Sequence, residues 1–185
     1  LLAESGKQFL VLGNMNHITF KEIFHYFREN KMWLGYNAGH FWFKVPDYYE
    51  AKNTDYKQDE DGQKWRRLGN ICWFTNMDID IRHQFLDLYK HFSIQEYPEY
   101  DNYDAYFVKT VADIPCDTDK PLAVPITFLS SFSPDQFELL DANQFRKYDE
   151  VPVKSHGLIK DKDGTIKGKA TYARLLVRNR NPEKE

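Results

Sequence analysis

Gln8-Phe9-Leu10-Val11-Leu12 runs into Gly13-Asn14, Phe20, Ile23, Phe24 and Phe27 then recur at i, i+3, i+4 and i+7, and Met32-Trp33-Leu34 returns to a short apolar run. An apolar run halted by Gly-Asn is the pattern of a strand buried on both faces in a parallel sheet. The 3.6-residue spacing predicts an amphipathic helix over residues 20–30, and Thr19-Phe20-Lys21-Glu22 ahead of it has the capping-box spacing. Strand, helix and strand in that order predict an α/β layer. Just upstream, residues 1–6 read as the last turn of a helix with Gly6 past its end, so the chain is expected to be the later part of a longer protein.

Beyond Gly35 the pattern changes. His40-Phe41-Trp42-Phe43-Lys44-Val45 is an aromatic strand closed by Pro46, and Asp61-Gly62 marks a hairpin leading into a strand over residues 64–76. Ile81, Phe85, Leu88 and Tyr89 predict a helix over residues 80–92. Tyr106-Phe107-Val108 reads as a strand, residues 125–129 as a short helix and Phe137-Glu138-Leu139-Leu140 as a strand. A closing hairpin is expected from Gly157-Leu158-Ile159 through the turn Asp163-Gly164 to residues 171–177.

At 185 residues the chain is long enough to bury a core, and 42% hydrophobic with 29% charged residues excludes disorder over most of its length. No apolar run approaches the roughly 18 residues of a membrane helix. Cys72 and Cys116 are too few for a disulfide framework or a zinc site of cysteine pairs, so a soluble protein in a reducing, cytoplasmic setting is expected. The net charge of −3 hides an asymmetry. Lys154, Lys160, Lys162, Lys167, Lys169, Arg174, Arg178 and Arg180 face only Asp161 and Asp163 over residues 154–180. Residues 93–119 are correspondingly acidic. The basic stretch can follow a phosphate backbone, or the two faces can simply attract each other.

The residues with chemistry narrow the classes. The histidines at 17, 25, 40, 83, 91 and 156 show no metal-ligand spacing, with His83 and His91 eight apart, so no metal site is expected. Asp47, Asp55 and Lys57 have the residue types of a Mg²⁺-dependent nuclease, at a separation short for that chemistry. The nine glycines form no phosphate-cradling run, and no Gly-x-Ser-x-Gly elbow occurs. What remains is amide and aromatic chemistry near strand ends. Asn14 and Asn16 follow the first strand, where open α/β sheets line their binding crevice, and an asparagine there either pairs with adenine or holds the turn. Lys64-Trp65-Arg66-Arg67 places cations beside an aromatic, which serves a nucleic-acid contact or an ordinary solubilised edge.

Several segments together resemble the adenine-specific DNA methyltransferases of the EcoRI modification methylase type. They are Phe9-Leu10-Val11-Leu12-Gly13-Asn14-Met15-Asn16, Ile18-Thr19-Phe20-Lys21-Glu22-Ile23-Phe24, Trp33-Leu34-Gly35-Tyr36-Asn37 and Ile71-Cys72-Trp73-Phe74-Thr75-Asn76. Glu96-Tyr97-Pro98, Tyr100-Asp101-Asn102-Tyr103-Asp104-Ala105, Val124-Pro125-Ile126-Thr127-Phe128-Leu129 and Tyr172-Ala173-Arg174-Leu175-Leu176-Val177 extend the likeness in order. The resemblance implies a Rossmann-like, S-adenosylmethionine-dependent sheet and methyl transfer to N6 of an adenine flipped from duplex DNA. The family's cofactor motif and its catalytic Asn-Pro-Pro-Phe motif lie upstream of the strand at residues 8–12, and neither occurs in this sequence. The chain is therefore expected to be the C-terminal portion: residues 1–77 the last strands and helix of the α/β sheet, residues 78–185 a mixed α+β target-recognition part. No catalytic residue and no tight S-adenosylmethionine binding are expected of it alone. The expected partners are duplex DNA and the missing N-terminal catalytic part of the same protein. The expected DNA contacts are Asn14, Asn16, Lys64, Arg66 and Arg67, with Arg174, Arg178 and Arg180 on the basic stretch. A Mg²⁺-dependent nuclease and a non-catalytic interaction module are the alternatives.

Overall fold

The computed structural model describes residues 2–36, 39–51, 54–100, 104–142, 158–160, 166–170 and 174–184. The strand β1 (Leu10–Asn14) leads through a 3-10 turn (Met15–Thr19) into helix α1 (Lys21–Arg28) and strand β2 (Trp33–Leu34). The strand-helix-strand expectation holds. Its partner was not foreseen: β3 (Gly39–Lys44) and β4 (Tyr56–Gln58) are followed by a long strand, β5 (Lys64–Thr75), on which every other strand of the first sheet pairs antiparallel. Leu10 and Trp33 both lie opposite Thr75, so β1 and β2 occupy the two edges of β5 and run parallel to each other with β5 between them. The expectation of β1 as a strand buried on both faces among parallel neighbours is corrected here. Leu10 is 52%, Val11 40% and Leu12 43% exposed, and β1 pairs with β5 alone among the described residues.

Polar side chains fasten this unit. The Asn76 amide accepts from the Phe9 N–H (2.9 Å) and donates to the Lys7 carbonyl (2.8 Å), and the Thr75 hydroxyl donates to the Phe9 carbonyl (2.7 Å). Gly13 is required by close approach, since a Cβ there would lie 2.6 Å from the buried Phe74 ring. The capping box is not formed: Phe20 is the N-cap of α1 without a side-chain cap, and the Thr19 hydroxyl turns back to donate to the Asn16 carbonyl.

The second sheet has the order β6 (Tyr106–Phe107), β7 (Leu122–Pro125), β11 (Arg174–Asn179) and β8 (Phe137–Ala142), with β6 parallel to β7 and the other pairs antiparallel. The strands β9 (Leu158–Lys160) and β10 (Ile166–Ala170) form a separate hairpin, and the return strand expected at residues 171–177 is instead β11, paired with β7 and β8. The turn Asp163-Gly164, with Lys154 and Lys162, lies outside the described residues. One hydrophobic cluster runs from Phe9, Phe24 and Phe27 of the first unit to Leu122, Phe128, Phe137 and Val177 of the second, and α1 packs on β8. Among the described residues no helix is long and apolar enough to cross a membrane.

The helix expected over residues 80–92 reduces to a 3-10 turn, Asp80–His83, and the chain then runs extended. Phe85 and Tyr89, half of the apparent stripe, are exposed. Gln136, buried, supplies what a helix would have supplied: its carbonyl accepts the Leu86 N–H (2.7 Å) and its amide donates to the Leu86 carbonyl (2.8 Å). Replacing Gln136 with Leu orphans both Leu86 groups, and urea unfolding should show a loss of about 1–3 kcal/mol.

Candidate nucleic-acid interface

The β5 strand is longer than the body of the sheet. Its C-terminal half is buried between β1 and β2, while residues 64–70 project with β3 and β4 as an arm. At the junction Asn70 takes φ +56° and has no partner on β3, because Gly39 opposes Ile71 and His40 opposes Gly69. This bulge bends the arm and shifts the alternation by one residue, and asparagine tolerates the left-handed conformation it requires.

On one face of the arm, Trp42 lies opposite Arg67, and Trp65 lies between Lys44 and Lys57. Directly opposed residues share a face, so these side chains stack as a cross-strand ladder. Lys57 Nζ is 4.7 Å from the Trp42 ring centre and 5.7 Å from that of Trp65, Lys44 Nζ is 5.4 Å from Trp65, and the Arg67 guanidinium is 5.8 Å from Trp42. Trp42, Lys44 and Lys57 are exposed. The Trp65 indole donates to Asp59 (2.8 Å), and this bond holds the Asp59 carboxyl below its ordinary range.

The cations expected to meet phosphates divide by their bonds. Lys64 Nζ donates to the carbonyls of Asp47 and Tyr49, and Arg66 Nη1 to those of Thr54 (2.7 Å) and Asp55 (3.1 Å), so both fasten the loops beside the arm. Arg67 forms an ion pair with Asp55, whose backbone has φ +56°, and keeps part of its surface open. Arg174 is half-buried, donates to the Val108 carbonyl and stacks 4.3 Å from the Phe107 ring; burial holds its pKa below the usual arginine range. Arg178 reaches Glu138 across the strand pair (3.5 Å), and Arg180 donates to the Pro134 carbonyl (3.1 Å). The nuclease constellation does not assemble, since Asp55 is held by Arg67 and Lys57 lies over the tryptophans.

Trp42, Lys44 and Lys57 were missed as nucleic-acid candidates. Strand alternation would have put Trp42 and Lys44 on one face, but the register that brings Lys57 and Trp65 beside them is a tertiary fact.

Asn14 closes the carboxyl end of β1, and its side chain accepts from the Asn16 N–H (2.9 Å), the turn-holding role. Asn16 is exposed, and its side-chain amide forms no hydrogen bond with the described residues. Residues Asn14 and Ile71 are opposed, so the arm leaves the sheet at the end where β1 and β2 terminate. Beside β1 and α1 lies an apolar groove of about 580 Å³ lined by Leu2, Val11, Gly13, Ile23, Met32 and Phe74 among others. The lining is mostly apolar, with His17, Glu22 and Tyr26 its polar members. Replacing Asn14 with Ala should cost about 1 kcal/mol in chemical denaturation through the lost cap. Asn16→Ala should stay within about 0.5 kcal/mol of the parent.

Comparison with known proteins agrees with the resemblance read from the segments. The family described as adenine-specific methyltransferase EcoRI matches residues 1–180. The Type II methyltransferase M.EcoRI of Escherichia coli is 40% identical over 187 residues, covering 99% of this chain and 53% of that protein. The Type II methyltransferase M.MpnI of Mycoplasma pneumoniae is 35% identical over 191 residues, covering 97% of this chain and 59% of that protein. The chain thus spans little more than half the length of these relatives, and no solved structure matches it. On the match over nearly its whole length, the chain belongs to the adenine-specific EcoRI methyltransferase family.

Proposed function

We propose that this chain is the DNA-recognising, C-terminal portion of a cytoplasmic DNA methyltransferase of a restriction-modification system, one that transfers the methyl of S-adenosylmethionine to adenine N6 in duplex DNA. The observation that carries this reading is the shared end of the first sheet. The exposed Asn16 amide beyond β1 and the tryptophan-cation arm built on the first half of β5 both emerge where β1 and β2, parallel to each other across β5, terminate. Ligands of open α/β sheets bind outside the carboxyl ends of parallel strands. An amide at that crevice and a basic aromatic arm flanking it suit an extruded base and the phosphates beside it.

Residues 1–77 then supply the last strands of a Rossmann-like sheet. The open edge of β1 and the groove next to it receive the portion that carries the cofactor pocket and the Asn-Pro-Pro-Phe motif. S-adenosylmethionine, bound there, supplies the methyl group. This chain's residues bind and orient the DNA: Asn16 faces the extruded base with Asn14 fixing its turn, and Lys44, Lys57 and Arg67 meet phosphates. Lys64 and Arg66 act by holding the arm in shape, while Arg174, Arg178 and Arg180 give a weaker basic surface.

The test is duplex binding by the full-length protein at several salt concentrations. Lys44→Ala/Lys57→Ala should weaken binding to all sequences alike and reduce the magnitude of the log–log salt slope by about two. Arg66→Ala should leave the slope unchanged while making residues 54–55 more sensitive to protease. An unchanged slope and affinity in the double lysine variant would overturn the interface. Methyl recovered on cytosine, or on no base, when the full-length protein is given labelled S-adenosylmethionine and DNA would overturn the reaction.

A further inference from the structure

Far in sequence from one another, His91 and the neighbours Cys116 and Asp117 converge on one point of the second unit. His91 Nδ1 lies 3.1 Å from Asp117 Oδ2 and 3.8 Å from Cys116 Sγ, and one potential ligand atom from each of the three lies within 4.8 Å of the others. Among the described residues this is the one such group of histidine, cysteine and carboxylate. The separation of 25 residues between His91 and Cys116 hides it from any search for ligand spacing.

Two of the three ligand-to-ligand distances are near those of a coordination polyhedron, and the third, from Cys116 Sγ to the Asp117 carboxylate, lies within 4.8 Å. Zinc held about 2.3 Å from a sulfur and about 2.0–2.1 Å from a nitrogen or oxygen, at tetrahedral angles, sets sulfur and nitrogen about 3.5 Å apart and nitrogen and oxygen about 3.3 Å apart. The observed 3.8 Å and 3.1 Å each lie within about 0.3 Å of these values, and His91 is exposed.

The frame around these atoms is already built. Lys90 and Pro115 form a parallel bridge, and the Cys116 N–H donates to the Lys90 carbonyl (2.8 Å). The Cys116 carbonyl accepts from the Asn179 side chain (3.2 Å) and from the Glu183 N–H (2.9 Å). Asp117 Oδ1 is occupied by the Phe92 N–H (2.7 Å), which turns Oδ2 toward His91. Backbone and outer hydrogen bonds that fix ligand orientation are what a preorganised metal site needs.

We propose that His91, Cys116 and Asp117 bind a borderline-soft divalent cation of the zinc type, with water in the fourth position. Without a cation, His91 and Asp117 are held by the hydrogen bond between them. A cation replaces the thiol proton and neutralises the Asp117 carboxylate. A thiolate ligand selects zinc or cobalt over magnesium. This proposal is independent of the DNA-binding reading.

The experiment is titration of the purified, chelator-treated chain with Co²⁺ under anaerobic conditions. One equivalent should raise a thiolate-to-cobalt charge-transfer band in the near ultraviolet. Zn²⁺ should displace the band, and excess Mg²⁺ should leave it. Cys116→Ser should abolish the band and Cys72→Ser should preserve it. His91→Ala, a change at an exposed side chain that leaves the fold intact by circular dichroism, should weaken Co²⁺ binding at least ~10-fold, as should Asp117→Asn. Zn²⁺ should raise the melting temperature of the parent and not of His91→Ala. No saturable band in the parent, a band lost only in Cys72→Ser, or unchanged affinity in folded His91→Ala would each overturn the site.

Discussion

The first unit depends on one strand that offers both of its edges to others. Residues Lys64–Thr75 hydrogen-bond β1 and β4 along one edge and β2 and β3 along the other, so removing β5 would leave four short strands with no common partner. Strands of two to six residues do not stand alone in water. The length of β5 also fixes where function can sit. Its buried half, Cys72 to Thr75, is committed to the core, and its open half carries Trp65 and Arg67 out beyond the ends of β1 and β2. The Asn70 bulge separates the two halves. It lets Trp73 share the face of Phe41, with the rings edge to face at 6.5 Å, while Trp65 and Arg67 face the other way.

Charge in this protein is used more for holding than for display. Lys64, Arg66 and Arg174 donate to backbone carbonyls, and buried Arg82 lies 3.6 Å from the Trp33 ring while donating to the Asn30 side chain. A cation satisfied by carbonyls has little left to give a phosphate, since its donors must first be freed. Lys44 and Lys57 are different, because an aromatic face attracts a cation without consuming its hydrogens. Counting lysines and arginines along the chain therefore misjudges the surface: Arg82 lies over Trp33 yet is buried, whereas Lys44 and Lys57 beside Trp65 and Trp42 stay exposed.

The elements legible in the sequence were those whose signal is local. The apolar runs of β1 and β2, the i, i+3, i+4, i+7 stripe of α1 and the Asp61-Gly62 turn, where Gly62 takes φ +79°, all appear where periodicity and turn chemistry put them. Direction and partnership were not legible, because an antiparallel strand inserted between β1 and β2 begins 30 residues after β2 ends, at Lys64 against Leu34. The helix expected at residues 80–92 failed for a related reason. Ile81, Phe85, Leu88 and Tyr89 mimic a helical stripe, but the bonds of Leu86 are met by Gln136, 50 residues away. At the candidate interface, Arg67 and the Asn14 turn could be named from sequence, while the ladder with Lys57 waits on the register of three strands.

The exposed β1 runs against the usual treatment of a sheet edge. An apolar strand with one unpaired edge invites pairing with another chain, and proteins usually blunt such edges with charge, proline or a short span. Leu10-Val11-Leu12 has none of these and shows apolar side chains on both faces. Such a strand is stable as an interior strand and a hazard as an edge. The relatives are longer than this chain by more than two-fifths of their own length, enough for a further sheet portion. In the reading proposed above that portion sits against β1, where it would pair the open edge and cover the neighbouring groove.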